Sequence, residues 1–264
     1  MTNLSMAIFR GLISWGGFFF FLLLEYLKPY RLPTVAKTKR LLVNISLTLL
    51  NSAVLSIIFA AATINSALHV SANHLGILNA FSLTFWPKVF LSIIVMDLVF
   101  YVWHLLNHKI PLLWRLHRVH HSDLNMDVST ASRFHIGELA ISSCLKIGLV
   151  YLIGLNVMSI ILFESLLGLT AQFQHSSVKV PIGFERVFWL LFVPPSMHRI
   201  HHSVVIQERD TNYGTILSIW DRLVGTLLKD VDQEKIVIGL GPYRKPEGLG
   251  LRSLLVMPFT RAIR

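Results

Sequence analysis

Long apolar runs are the feature that most constrains how this chain can fold. A transmembrane helix needs about 20 consecutive, largely apolar residues, and residues 6–27, 41–64 and 85–106 each meet that length. A fourth apolar region, 139–173, is too long for one helix, and the turn signal near Gly154 predicts a helical hairpin there. The sequence therefore predicts an all-α integral membrane protein with three long transmembrane helices and a hairpin.

The composition agrees with a membrane protein and limits the other classes. Of the 264 residues, 53% are hydrophobic and only 14% are charged, whereas soluble domains usually carry more charge. The formal net charge of +10 fits basic cytoplasmic loops better than a nucleic-acid partner, because the Lys and Arg residues are not interleaved with polar and aromatic residues on a soluble module. The single cysteine, Cys144, excludes an intramolecular disulfide and disfavours thiolate ligands for a metal.

Loop charge predicts the orientation of the chain. Residues 28–40 carry five Lys and Arg residues and no acid, whereas residues 65–82 carry no Lys or Arg. The first loop is therefore predicted to be cytoplasmic, and the third helix then brings residues 104–138 and 174–264 to the same face. Because the first apolar run lacks a small-residue cleavage pattern, we expect it to be retained as a helix. These features predict a multi-pass protein of the bacterial inner membrane, or of the endoplasmic reticulum membrane in a eukaryote.

One histidine pattern, H-x-x-H-H, occurs twice at the face predicted to be cytoplasmic. The first copy is "HRVHH" and the second is "HRIHH". Offsets of three and four bring histidines together on one side of a helix, whereas adjacent histidines diverge by about 100°, so one short helix can supply ligands to two metal ions. Neutral imidazole suits zinc, iron, copper or nickel, and the absence of thiolates argues against an iron–sulfur cluster. The candidate metal ligands in these two copies are His117, His120, His121, His198, His201 and His202.

The third apolar helix predicts further site residues on a single stripe. Its end reads "DLVFYVWHLLNH", which places Tyr101, His104 and His108 at helical offsets of four, seven and eleven from Asp97. The two histidines are candidate metal ligands. Since an Asp within a span is costly and is usually functional or paired, Asp97 is predicted to accept a hydrogen bond from an imidazole N–H, directly or through Tyr101. Packing beside a polar cavity is the alternative role for Asp97.

Four histidines lie outside these patterns. His175, just after the hairpin, emerges at the same face and is predicted to be a metal ligand. His135, just before the hairpin, either binds metal or only orients a ligand. His69 and His74 fall in the loop predicted to be non-cytoplasmic, and we assign them no role.

Three segments together resemble a known family. The runs "DLVFYVWHLLNHKIPLLWRLHRVHHSDLNMDVSTASRFH", "FQHSSVKVP" and "MHRIHHSVVIQERDTNYGTILSIWDRLVGT" are similar to the fatty acid hydroxylase superfamily, in its bacterial sterol desaturase-like branch. The resemblance covers about residues 97–226. It implies a membrane-embedded di-metal oxygenase, generally di-iron, that uses O2 and electrons to hydroxylate, desaturate or cleave lipids.

The resemblance also implies roles for individual residues. His104 and His108 match the family's H-x-x-x-H box, and the two H-x-x-H-H copies match its central and last boxes. Family members often have a histidine where His175 stands. Where they read H-P-x-E, this chain reads "HIGE" and lacks the proline, so the roles of His135 and Glu138 stay open.

The same reading predicts how the site works. Neutral histidines bring no negative charge to two metal ions, unlike the carboxylates of soluble di-iron bundles. Asp97 and Glu138 are therefore expected to be the catalytic acids that offset the positive charge of the metal ions. Iron is the expected metal and O2 the co-substrate, while zinc can occupy nitrogen ligands in a recombinant preparation. The lipid is expected to enter from the bilayer, and residues 188–196 are interpreted either as a substrate gate or as a structural cap.

The chain carries no dinucleotide fingerprint, P-loop or haem attachment motif. Electrons are therefore expected from a separate ferredoxin, b-type cytochrome or reductase that docks on the basic face. The predicted reaction is hydroxylation or desaturation of a sterol, fatty acyl or related lipid. An alkyl-ether lipid monooxygenase is the alternative within the superfamily, and a membrane metal transporter or sensor is the alternative from another class. A zinc hydrolase is disfavoured because H-E-x-x-H is absent.

One membrane domain, 1–264, accounts for the sequence. It divides into N-terminal transmembrane helices at 1–82, a hydroxylase-like catalytic core at 83–230 and a peripheral C-terminal tail at 231–264. The identity of the lipid and the oligomeric state stay open at this point.

Overall fold

The computed structural model describes the backbone of residues 3–261 and the side chains of residues 8–261. Over these residues the chain is helical, with three isolated β-bridges and no β-strand. Two π-helical turns, Ser56–Ala60 and Val150–Gly154, continue α2 and α6. The α-helices are α1 Asn3–Leu27, α2 Lys37–Leu55, α3 Ala61–Ala72, α4 Phe85–Lys109, α5 Pro111–His121, α6 Ile136–Leu149, α7 Val157–His175, α8 Ile182–Phe188, α9 Pro195–His201, α10 Ile206–Arg209, α11 Ile219–Val224 and α12 Leu251–Val256.

Five of the described helical segments are long and apolar enough to cross a membrane. They are Ile8–Leu27, Lys37–Ala80, Phe85–Lys109, Ile136–Gly154 and Val157–His175. The last two form the expected hairpin, and its turn is closed by Asn156, whose Oδ1 accepts a hydrogen bond of 2.8 Å from the N–H of Ser159. Such a side-chain cap satisfies a backbone donor at the start of α7. The predicted all-α fold with apolar helices long enough to span a membrane is thus confirmed.

The second span is longer than expected. Helix continues through α2, the π-helical turn and α3 as far as Ala72, whereas a loop was expected from residue 65. At 1.5 Å per residue these segments extend for about 54 Å, well beyond the hydrocarbon thickness of about 30 Å. The sequence between residues 65 and 72 contains no Gly or Pro, so nothing in it stops the helix.

A close approach of two glycines joins the end of this long segment to the tip of the hairpin. Gly76 has φ +91° and Gly154 has φ +87°, a region that favours glycine. A Cβ on Gly76 would lie 2.3 Å from the backbone N of Gly154, which leaves no room for a side chain. The loop after α3 and the hairpin tip therefore lie at one end of the molecule, opposite the end where α4 and α7 finish in histidines.

The apolar core lies between α4 and the two helices of the hairpin. Met96 and Phe100 of α4 pack with Ile160 and Phe163 of α7, and the two phenylalanine rings are 5.2 Å apart between centroids. Burial of such side chains is the main stabilising contribution in this layer. The core fixes the axial position of α4 and therefore of His104, one turn beyond it.

Each H-x-x-H-H copy lies at the end of a short helix that begins with proline. Pro111 starts α5, and Pro195 starts α9. Proline is well suited to the first helical position because its fixed φ is already helical and its missing N–H would have no partner there. Each helix thus begins at a defined residue, and its histidines lie toward its C-terminal end.

A buried charge network ties the segment after α5 to the beginning of α2. Arg40 donates to Asp123 at 2.5 Å and to Asp127 at 2.8 Å. Asn44, one turn later, donates to Asp123 at 3.1 Å and accepts from Arg133 at 2.8 Å. All five side chains are buried. The network fixes the segment that follows the first H-x-x-H-H copy.

The C-terminal segment packs against α5 from the other side. Leu254 and Met257 are buried in a cluster with Val119. Arg118 donates to the carbonyl of Arg261 at 2.9 Å and to Thr260 Oγ1 at 2.9 Å. Residues 251–261, predicted to be a peripheral tail, thus contribute buried contacts to the helix that carries three of the histidines.

Candidate metal centre

Nine buried histidines converge at one end of the helices in two adjoining groups. Within each group the ligand atoms all lie within 4.8 Å of one another. The five-histidine group contains His104, His108, His117, His121 and His201. The four-histidine group contains His120, His175, His198 and His202.

Four helices supply these side chains in a complementary way. α5 gives two histidines to the five-histidine group and one to the other, whereas α9 and its C-cap residue give one and two. α4 adds His104 and His108, one helical turn apart, and α7 adds His175 as its last residue. Adjacent pairs such as His120 and His121 are divided between the groups, as their helical divergence predicts.

Backbone carbonyls fix the tautomer of several histidines. His104 Nδ1 donates to the carbonyl of Tyr213 at 2.9 Å, and His201 Nδ1 donates to the carbonyl of Thr211 at 2.7 Å. A carbonyl can only accept, so in each ring the hydrogen is on Nδ1 and Nε2 carries a lone pair. His175 is held in the same way, because its Nδ1 donates to the carbonyl of Ala171 at 2.7 Å.

The free nitrogens of these histidines face one another. His104 Nε2 and His201 Nε2 are 3.0 Å apart, with no hydrogen available to either for a bond between them. In the other group His175 Nε2 is 3.0 Å from the Nε2 atoms of both His120 and His198. Lone pairs that converge at this distance repel unless a cation lies among them. The arrangement therefore fits a metal ion bound by neutral imidazoles.

Several other ring nitrogens point into the groups without a protein partner. Among the described residues, His108 Nε2 and both ring nitrogens of His202 are buried and make no hydrogen bond. A buried polar atom without a partner is costly, and metal coordination would remove that cost. The donor set is all nitrogen, which suits iron, zinc, copper or nickel and does not select among them.

Burial keeps the imidazoles neutral. It lowers the pKa of five histidines outside the candidate spans well below the ordinary value, and the neighbouring imidazoles lower it further. These histidines are His120, His121, His198, His201 and His202. Only the neutral ring has a lone pair for a metal, so the groups are ready for coordination at neutral pH.

Two acids contact the histidine groups. Glu138 Oε1 accepts a hydrogen bond of 2.8 Å from His117 Nδ1, and its Oε2 is buried without a partner in the described part of the chain. Asp210 Oδ1 lies 3.5 Å from His108 Nδ1. A carboxylate hydrogen-bonded to a ligand histidine fixes the ring and raises its basicity. The structure thus places Glu138 beside one histidine of the five-histidine group, and its catalytic role stays a prediction.

The expected hydrogen bond between Asp97 and an imidazole is not what the structure shows. Asp97 instead accepts from Thr215 Oγ1 at 2.7 Å, from two backbone N–H groups and from Trp220 Nε1 at 2.8 Å. Tyr101 shares a hydrogen bond with Thr226, not with Asp97. The physical reason is that residues 213–220 fold back over α4 and reach Asp97 before any histidine does.

His135 lies outside both histidine groups. Its Nδ1 accepts from the backbone N–H of Gly137 at 3.0 Å, and its Nε2 lies 3.2 Å from the carbonyl of Leu255. It thereby caps the first turn of α6. With Nδ1 accepting and Nε2 donating, the ring has no lone pair left for a metal, so we do not propose His135 as a ligand.

The carbonyl partners of the histidines could not be found in the sequence. Tyr213, Thr211 and Ala171 act through their main chains, and every residue type has a carbonyl. The position of Asp221 is informative in retrospect, because its carboxylate accepts from the N–H groups of Tyr213 and Gly214, each at 2.8 Å. It holds the loop that presents a carbonyl to His104.

A cavity of about 660 Å³ connects the histidine groups to the interior of the helical bundle. Histidines of both groups line one end, and residues of α2, α4, α6 and α7 line the walls. No residue of 188–196, the segment interpreted as a gate or a cap, lines this cavity. That segment is tied down elsewhere, with Trp189 donating to Ser196 Oγ at 3.0 Å and Val193 donating to the carbonyl of Ile216.

Several known lipid-oxidising enzymes are similar to this chain. The ornithine lipid hydroxylase OlsE of Rhizobium tropici is 32% identical over 184 residues, which cover 67% of this chain and 52% of that protein. Human alkylglycerol monooxygenase is 31% identical over 59% of the chain and 33% of that protein. Human cholesterol 25-hydroxylase is 25% identical over 53% of the chain and 50% of that protein.

The chain therefore spans about half or less of the length of these relatives. No solved structure gives a significant match. The family model "Fatty acid hydroxylase" matches residues 89–226, just over half of the chain and including all nine grouped histidines. This chain belongs to the fatty acid hydroxylase family.

Proposed function

We propose that this protein is a membrane-bound di-metal oxygenase that oxidises a C–H bond of a lipid, with iron as the working metal and O2 as co-substrate. The observation that carries the proposal is the pair of buried histidine groups, in which lone pairs of His104 and His201 face each other at 3.0 Å. Two adjacent groups of this kind are suited to two metal ions. The family and its named lipid hydroxylases and monooxygenases support an oxidation as the reaction.

The residues of the chain have separate tasks in this proposal. The five-histidine group and the four-histidine group would each hold one metal ion, and bound iron would supply the O2 chemistry. Tyr213 and Thr211 hold the Nδ1 hydrogens of His104 and His201 through their carbonyls. Glu138 does the same for His117 and adds a negative charge. The buried site keeps water away from the reacting carbon.

The cavity supports a lipid as the substrate. It runs from the histidines into the helical bundle and has a volume of about 660 Å³, within the range of pockets that enclose a small molecule. The relatives are named for an ornithine lipid, alkylglycerol and cholesterol. We propose hydroxylation as the first reaction to test. Desaturation and the oxidation of an ether-linked carbon begin with the same loss of a hydrogen atom.

Electrons would come from a separate protein. The chain itself has no dinucleotide, P-loop or haem attachment motif, so we propose a ferredoxin, a b-type cytochrome or a reductase as donor. We further propose that the histidine end faces the cytoplasm of a bacterial inner membrane, or of the endoplasmic reticulum in a eukaryote. The basic loop 28–40 is at that end, because the N–H of Tyr30 donates to the carbonyl of Ser177, next to His175.

A metal transporter fits the structure less well. The cavity does enter the spans, but two cationic side chains, Arg10 and Lys146, line it beside a single carboxylate, Glu164, which leaves an excess of one positive charge. Fixed positive charge in a site of low dielectric repels a passing metal cation. The cavity is therefore better suited to a molecule that carries negative charge or none.

Metal content of the detergent-purified protein tests the proposal. Mass spectrometry should find about two metal ions per chain. The variants His121→Ala and His202→Ala, one for each histidine group, should each lose about one. His69→Ala is the matched control, since His69 lies at the opposite end of the fold and should leave metal content unchanged. A monodisperse wild-type protein that binds no metal after reconstitution with ferrous iron would contradict the proposal.

Activity comes second in this test. Reconstituted protein with a chemical reductant and a lipid extract should consume O2 and release oxidised lipid, and both should be lost in His121→Ala. Zinc in the purified sample would confirm a metal site while leaving iron to the reconstitution, since zinc readily occupies nitrogen ligands.

A further inference from the structure

A charged cluster lies inside the candidate membrane spans. Glu164 of α7 forms ion pairs with Arg10 of α1 and with Lys146 of α6. The side chains of Glu164 and Lys146 are only 14% and 20% exposed. Charged side chains within spans are costly and are typical of functional sites. An ion-paired tie between three helices is the simplest explanation, but it does not account for the position of the cluster.

The cluster and the histidines line the same cavity. Arg10, Lys146 and Glu164 belong to its wall, together with His104 and His120. Lys146 follows Glu138 by eight residues of α6, which is about 12 Å along the helix axis. Glu164 and Lys146 therefore lie inside the bundle, at the end of the cavity away from the histidine groups, while Arg10 reaches Glu164 from the edge of the bundle with 44% of its side chain exposed.

The charge of the cluster is not balanced. Two cations surround one carboxylate, so the cluster carries an excess of one formal positive charge. Lys146 has three N–H donors, and the described contacts use one of them, to Glu164. Unbalanced charge in a site of low dielectric is stabilised by an ion of opposite sign. One additional negative charge would neutralise the cluster.

The walls between the two ends have a mixed character. Thr48, Ser52 and Ser56 present hydroxyl groups along one wall, while Phe100 and Ile160 on the facing helices are apolar. The π-helical turn Ser56–Ala60 is part of the same wall, and such turns inside long helices are frequent at functional sites. A wall of this kind suits an amphipathic chain better than a small polar metabolite.

We propose that this cavity binds a single-chain lipid with a terminal carboxylate, which lies between Arg10 and Lys146 while the chain extends toward the histidines. The volume of about 660 Å³ is suited to one chain. Given the length along α6, the carbon nearest the histidines lies about 12 Å or more from the carboxylate. The position of oxidation rests on the proposed function, but binding of the carboxylate does not.

Equilibrium binding of a fluorescent fatty acid tests the proposal without turnover. The probes are cis-parinaric acid and its methyl ester, titrated into the detergent-purified protein. The wild-type protein should bind the acid about tenfold more tightly than the ester, because only the acid gains charge-assisted hydrogen bonds. Equal affinity for the two probes would overturn the proposal.

Two variants separate an anion site from a structural tie. Lys146→Gln removes the excess charge and should weaken binding of the acid about tenfold without affecting the ester. Glu164→Gln increases the excess and should leave acid binding at least as tight as in the wild type. The matched control is Lys88→Gln, because Lys88 lies in α4 but not in the cavity wall. It should change neither affinity.

A purely structural role predicts a different result. If the cluster only held helices together, Lys146→Gln and Glu164→Gln would weaken the acid and the ester alike, and that outcome would overturn the proposal. Should Lys146→Gln fail to fold, the comparison of acid and ester on the wild type and on Glu164→Gln decides it alone. Since the titration needs neither metal nor O2, failure of the oxygenase reaction would leave it intact. In active protein, oxidation next to the carboxylate would overturn the orientation.

Discussion

A histidine that binds a metal must keep one ring nitrogen free of hydrogen, and for four of the nine histidines the structure shows a partner, of one of two kinds, that holds the hydrogen on Nδ1. His104 and His201 donate to neutral backbone carbonyls, whereas His117 donates to the carboxylate of Glu138. A carboxylate makes the ring a stronger base and would place a negative charge one ring away from a metal ion bound there. Glu138 should therefore affect metal affinity more than any other residue that is not itself a ligand.

Substitution of Glu138 tests this difference. Glu138→Leu should weaken binding of one of the two metal ions about 10–100-fold, because His117 loses its orienting partner. Glu138→Gln should have a smaller effect, since an amide oxygen still accepts the hydrogen bond but carries no charge. Competition with a chelator of known affinity measures the change for each metal ion.

His135→Ala is the control for that series. His135 is three residues from Glu138 but uses both ring nitrogens within the protein. Its loss should leave both metal affinities unchanged and remove the cap of α6, at about 1 kcal/mol of stability. Equal loss of metal from His135→Ala and Glu138→Leu would contradict the roles assigned to both residues.

The sequence predicts which histidines lie close together but says little about their hydrogen-bond partners. Helical spacing separates His120 from His121 without any structure, because 100° between neighbours is a property of every helix. The carbonyl that holds His104 comes from Tyr213, more than 100 residues away, and no residue type marks it. The pattern "HIGE" is ambiguous at His135, since a histidine at this position can either bind metal or cap the helix that follows.

At the scale of elements, α4 anchors a loop from a distant part of the chain, and this loop orients a histidine of the site. Asp97 accepts four hydrogen bonds from residues 215–220, and this loop continues from Tyr213, whose carbonyl holds His104. The carboxylate of Asp97 is costly to bury within the span, but by accepting these hydrogen bonds it anchors the loop. The sequence indicated a paired Asp but could not identify the partner, because the loop folds back from a distant part of the chain.

Loss of this anchor should reduce both stability and metal affinity. Asp97→Ala leaves four donors without their acceptor and should lower the free energy of unfolding by about 3 kcal/mol. Asp97→Asn keeps one acceptor oxygen and should have an intermediate effect. Thermal unfolding in detergent, followed with and without metal, measures both quantities. The exposed Asp232→Ala is the control, and a similar loss there would show that the assay does not report on the anchor.

The network that joins α2 to the segment after α5 predicts a pH dependence. Burial alone would raise the pKa of Asp123, but the charges of Arg40 and Arg133 outweigh burial and hold the pKa well below its usual range. A carboxylate whose pKa is lower in the folded state stabilises the fold at pH values above about 3.9, and this contribution is lost as the pH falls toward the folded value.

Asp123→Asn should reveal that contribution. The free energy of unfolding of the variant should be about 3 kcal/mol lower at pH 7, because Arg40 keeps Asp127 but loses the negative charge of Asp123. Its stability should also fall less steeply than that of the wild type on acidification below about pH 4. Denaturant unfolding at a series of pH values measures both effects. Parallel pH profiles for the two proteins would show that Asp123 is not the titrating group.

At the scale of the whole molecule, the two ends of the helical bundle have opposite character. The histidine groups, the basic loop 28–40 and the C-terminal segment lie at one end, where Lys179 also donates to the carbonyl of Lys28. The loop after α3 and the hairpin tip lie at the other end, joined at Gly76 and Gly154. Apolar length alone predicted where the long helical segments lie but not the extension of α3 to Ala72, because hydropathy sets a minimum length for a span and no maximum.

This polarity predicts which residues are accessible from each side of the membrane. In a Cys144→Ser background, Ser82→Cys places a thiol in the exposed segment just before α4, and Lys235→Cys places one at the histidine end. If the basic end is cytoplasmic, a membrane-impermeant maleimide should label Ser82→Cys in intact cells and Lys235→Cys only after permeabilisation.

The background protein without cysteine serves as the control and should not be labelled in either condition. Labelling of Lys235→Cys in intact cells, with Ser82→Cys protected, would reverse the orientation and place the histidines on the outer side. The site itself would then be unchanged, since no contact in it depends on the side. The proposed electron donor would have to be an extracytoplasmic protein, however, so the orientation decides which class of donor is able to reach the histidine groups.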